Sequence, residues 1–395
     1  MDAGFVLRAE RVFDGERLVP RGAAVFVEGG RITAVEPITA VVPPGWQLAE
    51  RAGATLLPGL IDAHVHLCGD SRDGALDRLA DHSDGEQAEV IEASLRRQLA
   101  AGVTAVRDLG DRCFATLTWR RRPGLPEVVV SGPPITIPGG HCWNMGGEVS
   151  GVEQIRAAIA ERAGRGVDVV KVMASGGVNT EGTDMLACQF SDDELRLLVT
   201  LAHDAGLPVT AHAHALPAVE QAIKVGVDGI EHCSCLTSEG VRISAALLGQ
   251  LATRHIVVCP TLGAVPGATP PARVQAMFER LRLTPGARAG HAAQMYDAGV
   301  AIISGGDSGI GAGKPHGLLP WAVIELASAG VPAQAALASA TSRAADACGF
   351  GDRKGRIRPG FDADLLLVDG DPLTDPHALT RPHTVVVRGH ASGPG

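Results

Sequence analysis

Leu57-Pro58-Gly59-Leu60-Ile61-Asp62-Ala63-His64-Val65-His66 closes an apolar run with two histidines two residues apart. In an extended chain the side chains at i and i+2 point the same way. His64 and His66 therefore present two imidazoles from one side of a strand end. Such a His-x-His pair can offer two neutral nitrogens to one metal ion. Two histidines at that spacing can equally share a surface face, so the pair alone decides nothing.

Outward from this stretch the same feature recurs. Short apolar runs end in a potential ligand at Val169-Val170-Lys171, Pro208-Val209-Thr210-Ala211-His212, Gly229-Ile230-Glu231-His232 and Ile302-Ile303-Ser304-Gly305-Gly306-Asp307. Helical patterns fill most gaps, among them Asp192 to His203, with a capping-box start at Ser191, and Leu216 to Val225. Ligands at the carboxyl ends of several strands, with helices between, are what a (β/α)8 barrel active site looks like in sequence. Barrel strands are expected near 60–66, 103–108, 127–131, 167–173, 207–212, 228–232, 255–260 and 300–305.

The two ends of the chain read differently. Phe5-Val6-Leu7, Ala24-Val25-Phe26-Val27, the turn Glu28-Gly29-Gly30 and Ile32-Thr33-Ala34-Val35 form a hairpin pattern. Ala363-Asp364-Leu365-Leu366-Leu367-Val368 and Thr384-Val385-Val386-Val387-Arg388-Gly389 share that texture. The expected fold class is α/β: a (β/α)8 TIM barrel over 58–349, with 1–57 and 350–395 meeting in a small, discontinuous β-sandwich.

Composition narrows the function. With 45% hydrophobic and 20% charged residues the chain reads as an ordinary soluble globule. A formal charge of -9 supplies no basic field for nucleic acid or an anionic membrane, so neither is an expected partner. Met1-Asp2-Ala3-Gly4-Phe5-Val6-Leu7-Arg8 lacks the form of a signal peptide, and no segment reaches the roughly 18 apolar residues of a membrane span. A cytoplasmic protein with a small-molecule substrate is expected, with a homo-oligomer as one option. The eight cysteines include no CxxC pair and are read as reduced. Cys233-Ser234-Cys235 is either a metal or redox pair or, more simply, strand-end thiols.

Taken as a set, these motifs resemble the amidohydrolase superfamily, in its binuclear, carboxylated-lysine branch of prolidase-like (Xaa-Pro dipeptidase) and carboxypeptidase-like enzymes. The resemblance runs through Pro58–His66, Gly102-Val103-Thr104-Ala105-Val106-Arg107-Asp108, Gly139-Gly140-His141, Lys171 with Ser175-Gly176-Gly177, His212-Ala213-His214, Ile230-Glu231-His232 and Gly306-Asp307. It extends to Ala340-Thr341 and Gly360-Phe361-Asp362-Ala363-Asp364-Leu365. It implies two divalent metal ions, of zinc type. His64, His66 and Asp307 would hold the first, His212 and His232 the second, and Lys171 would bridge them as an N6-carboxylysine. The lysine has a physical case of its own. A protonated ammonium repels a dication, whereas a lysine that has added CO₂ is an anionic ligand with two oxygens. Lys171 is one of only four lysines and lies in an apolar run, where an unpaired ammonium is costly. Pairing with Asp168 or with a barrel carboxylate is the simpler alternative for Lys171, and Asp307 could be a helix N-cap.

The same resemblance implies chemistry in which a metal-bridging hydroxide attacks an amide carbonyl. Asp307 is the candidate proton carrier and His141 the candidate donor to the oxyanion. His214 shares a strand face with His212 and is read as a substrate contact; Asn179, Arg107 and Lys314 are weaker candidates for a substrate carboxylate. Trp143, Met145 and Met185 suggest room for a bulky side chain, and the single tyrosine, Tyr296, sits in a helical pattern away from the motifs. The expected activity is hydrolysis of amide bonds in dipeptides or N-acyl amino acids. A cyclic-amide, lactone or ester hydrolase, or a deaminase, is the alternative on the same fold. Deamination is disfavoured because Ala215 stands where deaminases of this superfamily place a glutamate.

Overall fold

A computed structural model describes residues 4–392 except 271, 282 and 285. Residues 1–3 and 393–395, the outer ends of the expected sandwich, lie outside the described residues. Strand Leu60–Val65 pairs in parallel with Val103–Asp108, which pairs in parallel with Glu127–Val130. Strands Val170–Met173, Val209–Ala215, Gly229–Thr237, Val257–Cys259 and Ala301–Ile302 form a second parallel run in chain order. Backbone hydrogen bonds join the two runs at both edges. At one, Asp168 N–H donates to Val130 O and Ile135 N–H to Lys171 O, each at 2.8 Å; at the other, Ala63 N–H donates to Ser304 O at 3.1 Å and His66 N–H to Ser308 O at 2.8 Å.

Helices occupy the intervals where the apolar spacing called for them. Helix Asp192–Asp204 starts at Ser191 with a complete capping box to Glu194, and helix Leu216–Val225 has the expected bounds. These helices bury Leu195, Leu198, Val219 and Ile223 in one large cluster with strand residues such as Val170, Val172, Val209 and Ile230. A separate cluster joins strand residues Ile61, Ala63, Ala105 and Val129, with Val169 and Ile303 at strand ends, to Ala344, Ala345 and Phe350. The strand ends differ from expectation where backbone partners take over. Gly229–Thr237 runs past 232 because Leu236 and Thr237 pair back with Val241 and Gly240. Ala301–Ile302 is shorter than the expected 300–305, although Ile303 N–H still donates to Val258 O and Ser304 O accepts from Ala63 N–H.

Strands from the two chain ends meet. Leu365–Asp369 pairs antiparallel with both Ala54–Pro58 and Pro382–Val387. Phe5–Ala9 pairs with Ala23–Glu28 and Gln47–Glu50. Leu7, Val25, Val27, Ile32, Leu56, Ile357, Leu365 and Val386 share one apolar cluster, so residues far apart in sequence close a common core. A buried charge knot ties this region to strand Glu127–Val130: Lys354 Nζ reaches Asp364, Asp362 (3.2 Å) and Glu127 (3.3 Å), and Arg353 bridges Glu127 and Asp362. No described helix is long and apolar enough to cross a membrane.

Candidate metal centre

Strand alternation brings the first donors together. Val169 packs in the inner cluster, so Lys171 two residues on points the same way. Thr210 donates to Glu231 Oε1, and His212 follows on that face. His64 and His66 both reach Asp307, each Nε2 lying 3.4 Å from Asp307 Oδ1. Two of these side chains are aimed by backbone that breaks the regular strand. His232 has φ +67° and Asp307 φ +54°, left-handed conformations that cost about 1–3 kcal/mol each for non-glycine residues. At His232 the break explains why neighbours Glu231 and His232 both face inward, where a regular strand would send them to opposite sides.

The result is two adjacent donor groups. The ligand atoms of His64, His66 and Asp307 lie within 4.8 Å of one another, as do those of His212, His214 and His232. The groups meet where the His64 and His232 rings stand 5.5 Å apart. His212 and His232 are 4.6 Å apart, and His214 stacks on His232 at 4.4 Å. All six line a cavity of about 590 Å³, together with Lys171, His141 and Asn179.

Each ring is held from behind, which leaves its other nitrogen for the centre. His64 Nδ1 meets Glu231 Oε2 at 2.8 Å, His66 Nδ1 meets Gly110 O at 3.0 Å, and His232 Nδ1 meets Thr261 Oγ1 at 2.7 Å. His214 is held through Nδ1 by Ser234 at 2.9 Å, and His212 through Nε2 by Gly176 O at 3.2 Å. Thr180 Oγ1 lies 2.9 Å from His141 Nδ1 and accepts the Cys142 N–H, which fixes the ring from behind. His141 Nε2 lies 3.7 Å from Cys142 Sγ. Gly177 leaves space for this ring: a Cβ there would stand 2.4 Å from His141 Nε2.

Electrostatics suit a cation-binding floor. Burial, reinforced by Lys171, pushes His64 down to about 4, and burial with His214 pushes His141 down to about 3. Burial also drives His212 and His232 well below the usual imidazole range, so these rings are neutral near pH 7. Asp307 stays ionised: against the pull of burial, His64 and His66 hold its carboxyl far below the ordinary range. Burial lowers Lys171. Its ammonium makes no hydrogen bond or ion pair among the described residues. His66 differs: against the pull of burial, Asp307 raises its imidazole. Three neutral imidazoles, an ionised carboxylate beside His66 and an amine lowered by burial form a donor set that fits divalent ions.

Several expected contacts fall elsewhere. Arg107 is absent from the cavity lining: its guanidinium donates to Glu231 Oε1 and to Ala63 O, each at 2.8 Å, so it serves the His64 support and no ligand. Lys314 does line the cavity, yet its ammonium is spent on three carbonyls, those of Thr261, Leu262 and Gly306. Met185 lines the cavity, but Trp143 and Met145 face a separate surface recess. Asp168 pairs with Arg120 and not with Lys171. Cys233 and Cys235, like the other six cysteines, are free thiols. Sequence reading missed Glu231, which touches His64, Arg107 and Thr210; its signal was a carboxylate next to the candidate ligand His232.

A mixed α/β chain with histidines gathered at parallel strand ends is the arrangement of hydrolases of TIM-barrel type. The amidohydrolase family model matches residues 55–391, and the chain belongs to that family. An uncharacterised protein of Mycobacterium tuberculosis is 29% identical over 378 residues, covering 94% of this chain and 92% of the relative. Ochratoxinase of Aspergillus niger is 27% identical over 368 residues, covering 84% of this chain and 73% of the relative. Among solved structures, a prolidase complexed with N-methylphosphonate-L-proline superposes with a TM-score of 0.85 at 27% identity, covering 99% of this chain and 100% of the other.

Proposed function

We propose that this chain is a binuclear metal-dependent amidohydrolase that cleaves amide bonds whose leaving amine belongs to an amino acid, as in dipeptides and N-acyl amino acids. The reading places the site at the top of a (β/α)8 barrel spanning 58–349, with a β-sandwich built from 1–57 and 350–395. The parallel strand order and the edge-to-edge backbone hydrogen bonds support it. Eight free thiols suit a reducing, cytoplasmic setting.

His64, His66 and Asp307 would hold one divalent ion, zinc by choice of donors, and His212 and His232 the other, with Lys171 as a carbamate between them. Such a pair lowers the pKa of water and polarises a carbonyl. Asp307, ionised and in contact with both His64 and His66, is placed to take a proton and hand it to the departing amine. His141, neutral and lining the same cavity, would supply a hydrogen bond to the tetrahedral oxyanion. His214 would contact substrate or join the second donor group, and Asn179 would contact substrate from the same cavity.

The observation that carries this reading is that the two donor groups line one cavity with Lys171, which is buried and has no hydrogen bond or ion pair among the described residues. The test is a panel of dipeptides, N-acyl amino acids and nucleobases offered to zinc-loaded protein. Amine release from the first two groups is expected. Ammonia release from nucleobases, with no turnover of dipeptides or N-acyl amino acids, would overturn the reading.

A further inference from the structure

Three basic side chains line the cavity among the described residues: Lys171, Lys314 and Arg288. Lys171 belongs to the floor, and Lys314 has given its protons to three carbonyls. Arg288 is different. It makes no ion pair and no hydrogen bond to any described residue, although it is half-buried. It is the second residue of helix Ala287–Asp297, whose first turn holds no acidic residue and whose start has no side-chain cap. A cation at the positive end of a helix dipole is unfavourable there. Nothing local therefore accounts for its position.

Its neighbours say where it points. Arg288 lines the same cavity as His141, His212, His214 and Lys314, so its side chain borders the space over the histidine floor. The carboxylates that share the cavity are otherwise engaged or remote: Asp307 is held by His64 and His66, Glu325 accepts the Gly263 N–H, and Asp73 and Asp77 are exposed at the rim. One wall of the cavity is apolar. Met185 and Leu236 pack with Val178, Val241 and Met277, and all five line it.

We infer that Arg288 is the anchor for a substrate carboxylate, and that the cavity selects amino-acid amides with a free α-carboxylate and a bulky apolar group. This deepens the amide-hydrolase reading and rests on it for the identity of the reacting bond. An arginine fork matches a carboxylate in two parallel hydrogen bonds, and the scissile carbonyl is then directed to the histidine floor. The apolar group lies against Met185, Leu236 and Met277. Such an enzyme trims terminal residues and does not cut within a chain, because an internal peptide bond offers no carboxylate to the fork.

Binding can be measured apart from turnover. Zinc-loaded wild type, Arg288→Gln and Arg288→Lys are titrated by calorimetry with 4-phenylbutanoate and with 4-phenylbutanamide. Loss of one charge-assisted contact predicts that the carboxylate-over-amide preference falls about 10- to 100-fold in Arg288→Gln. Arg288→Lys should recover part of it, since the charge stays and the fork is lost. Equal preference in wild type and Arg288→Gln would overturn the anchor, whatever the hydrolysis panel shows. An Arg288-dependent preference in a protein that cleaves no amide would sustain the anchor and reject the amide reading.

Discussion

Lys171 and Lys354 are each about 1% exposed, and their surroundings are opposite. Lys354 sits among Glu127, Asp362 and Asp364, a set of carboxylates that joins the terminal sheets to the strand Glu127–Val130. Lys171 sits among histidines, with Glu231 and Asp307 near enough to act through charge but not to bond. A buried ammonium without a partner is expensive, whereas one held by carboxylates is tolerated. The first arrangement holds the molecule together. The second is an unresolved cost that a carbamate and two cations would remove, which is why we read one lysine as structural and the other as functional.

Substitution at each position should separate these roles. Lys171→Ala is predicted to lower kcat by roughly three or more orders of magnitude and to abolish stoichiometric metal binding. Its thermal stability in chelator should match or exceed that of wild type, because an unpaired buried charge has been removed. A large loss of stability in the metal-free variant would mean that Lys171 is a structural group after all. Lys354→Met should do the reverse. Leaving Asp364 without its cation, and Glu127 and Asp362 with arginines alone, should cost about 3–5 kcal/mol in urea unfolding, with metal content intact in the folded protein. Metal loss without destabilisation would erase the distinction between the two lysines.

Smaller effects sharpen the boundary. Glu231→Gln keeps the shape of the residue that braces His64 but removes its charge. Weakened support of this kind lowers metal affinity by about 10- to 100-fold, measurable by competition with a chromophoric chelator. An unchanged affinity would show that His64 is positioned by packing alone. The charge knot also has a pH signature. Glu127 and Asp362 are held below the ordinary carboxylate range by Arg353 and Lys354, against the pull of burial. A depressed carboxylate contributes stability above its unfolded value of about 4, and that stability is lost as pH falls through the lower folded value. Lys354→Met and Glu127→Gln should therefore flatten the acid limb of the stability curve. An identical acid limb in these variants and wild type would remove the knot from the account.

What was legible in the sequence follows from local geometry. His64 with His66 and His212 with His214 are visible because an i, i+2 spacing fixes a shared strand face without knowledge of the rest of the fold. Helices Asp192–Asp204 and Leu216–Val225 are visible because their periodicity and starts are local. Glu231 was hidden because alternation assigns it the face opposite His232, and only the left-handed backbone at His232 turns both inward. Arg107 looked available because its Glu231 partner lies 124 positions away. Lys354, within Asp352-Arg353-Lys354-Gly355-Arg356, reads as a solvated charge run, and nothing in that stretch reveals carboxylates arriving from Glu127 and Asp364. Arg288 carries no motif; its significance lies in the partners that its neighbours in space do not supply.

The central claim, that Lys171 bridges two metal ions as a carbamate, is tested most directly by loading the protein with zinc in carbon-13 bicarbonate. Metal content and the carbamate carbon resonance are then read on the same sample. The account predicts about two ions per chain and a carbamate signal in wild type, with both lost in Lys171→Ala. A wild-type protein saturating at one ion, with no carbamate signal and unchanged metal in Lys171→Ala, would contradict it.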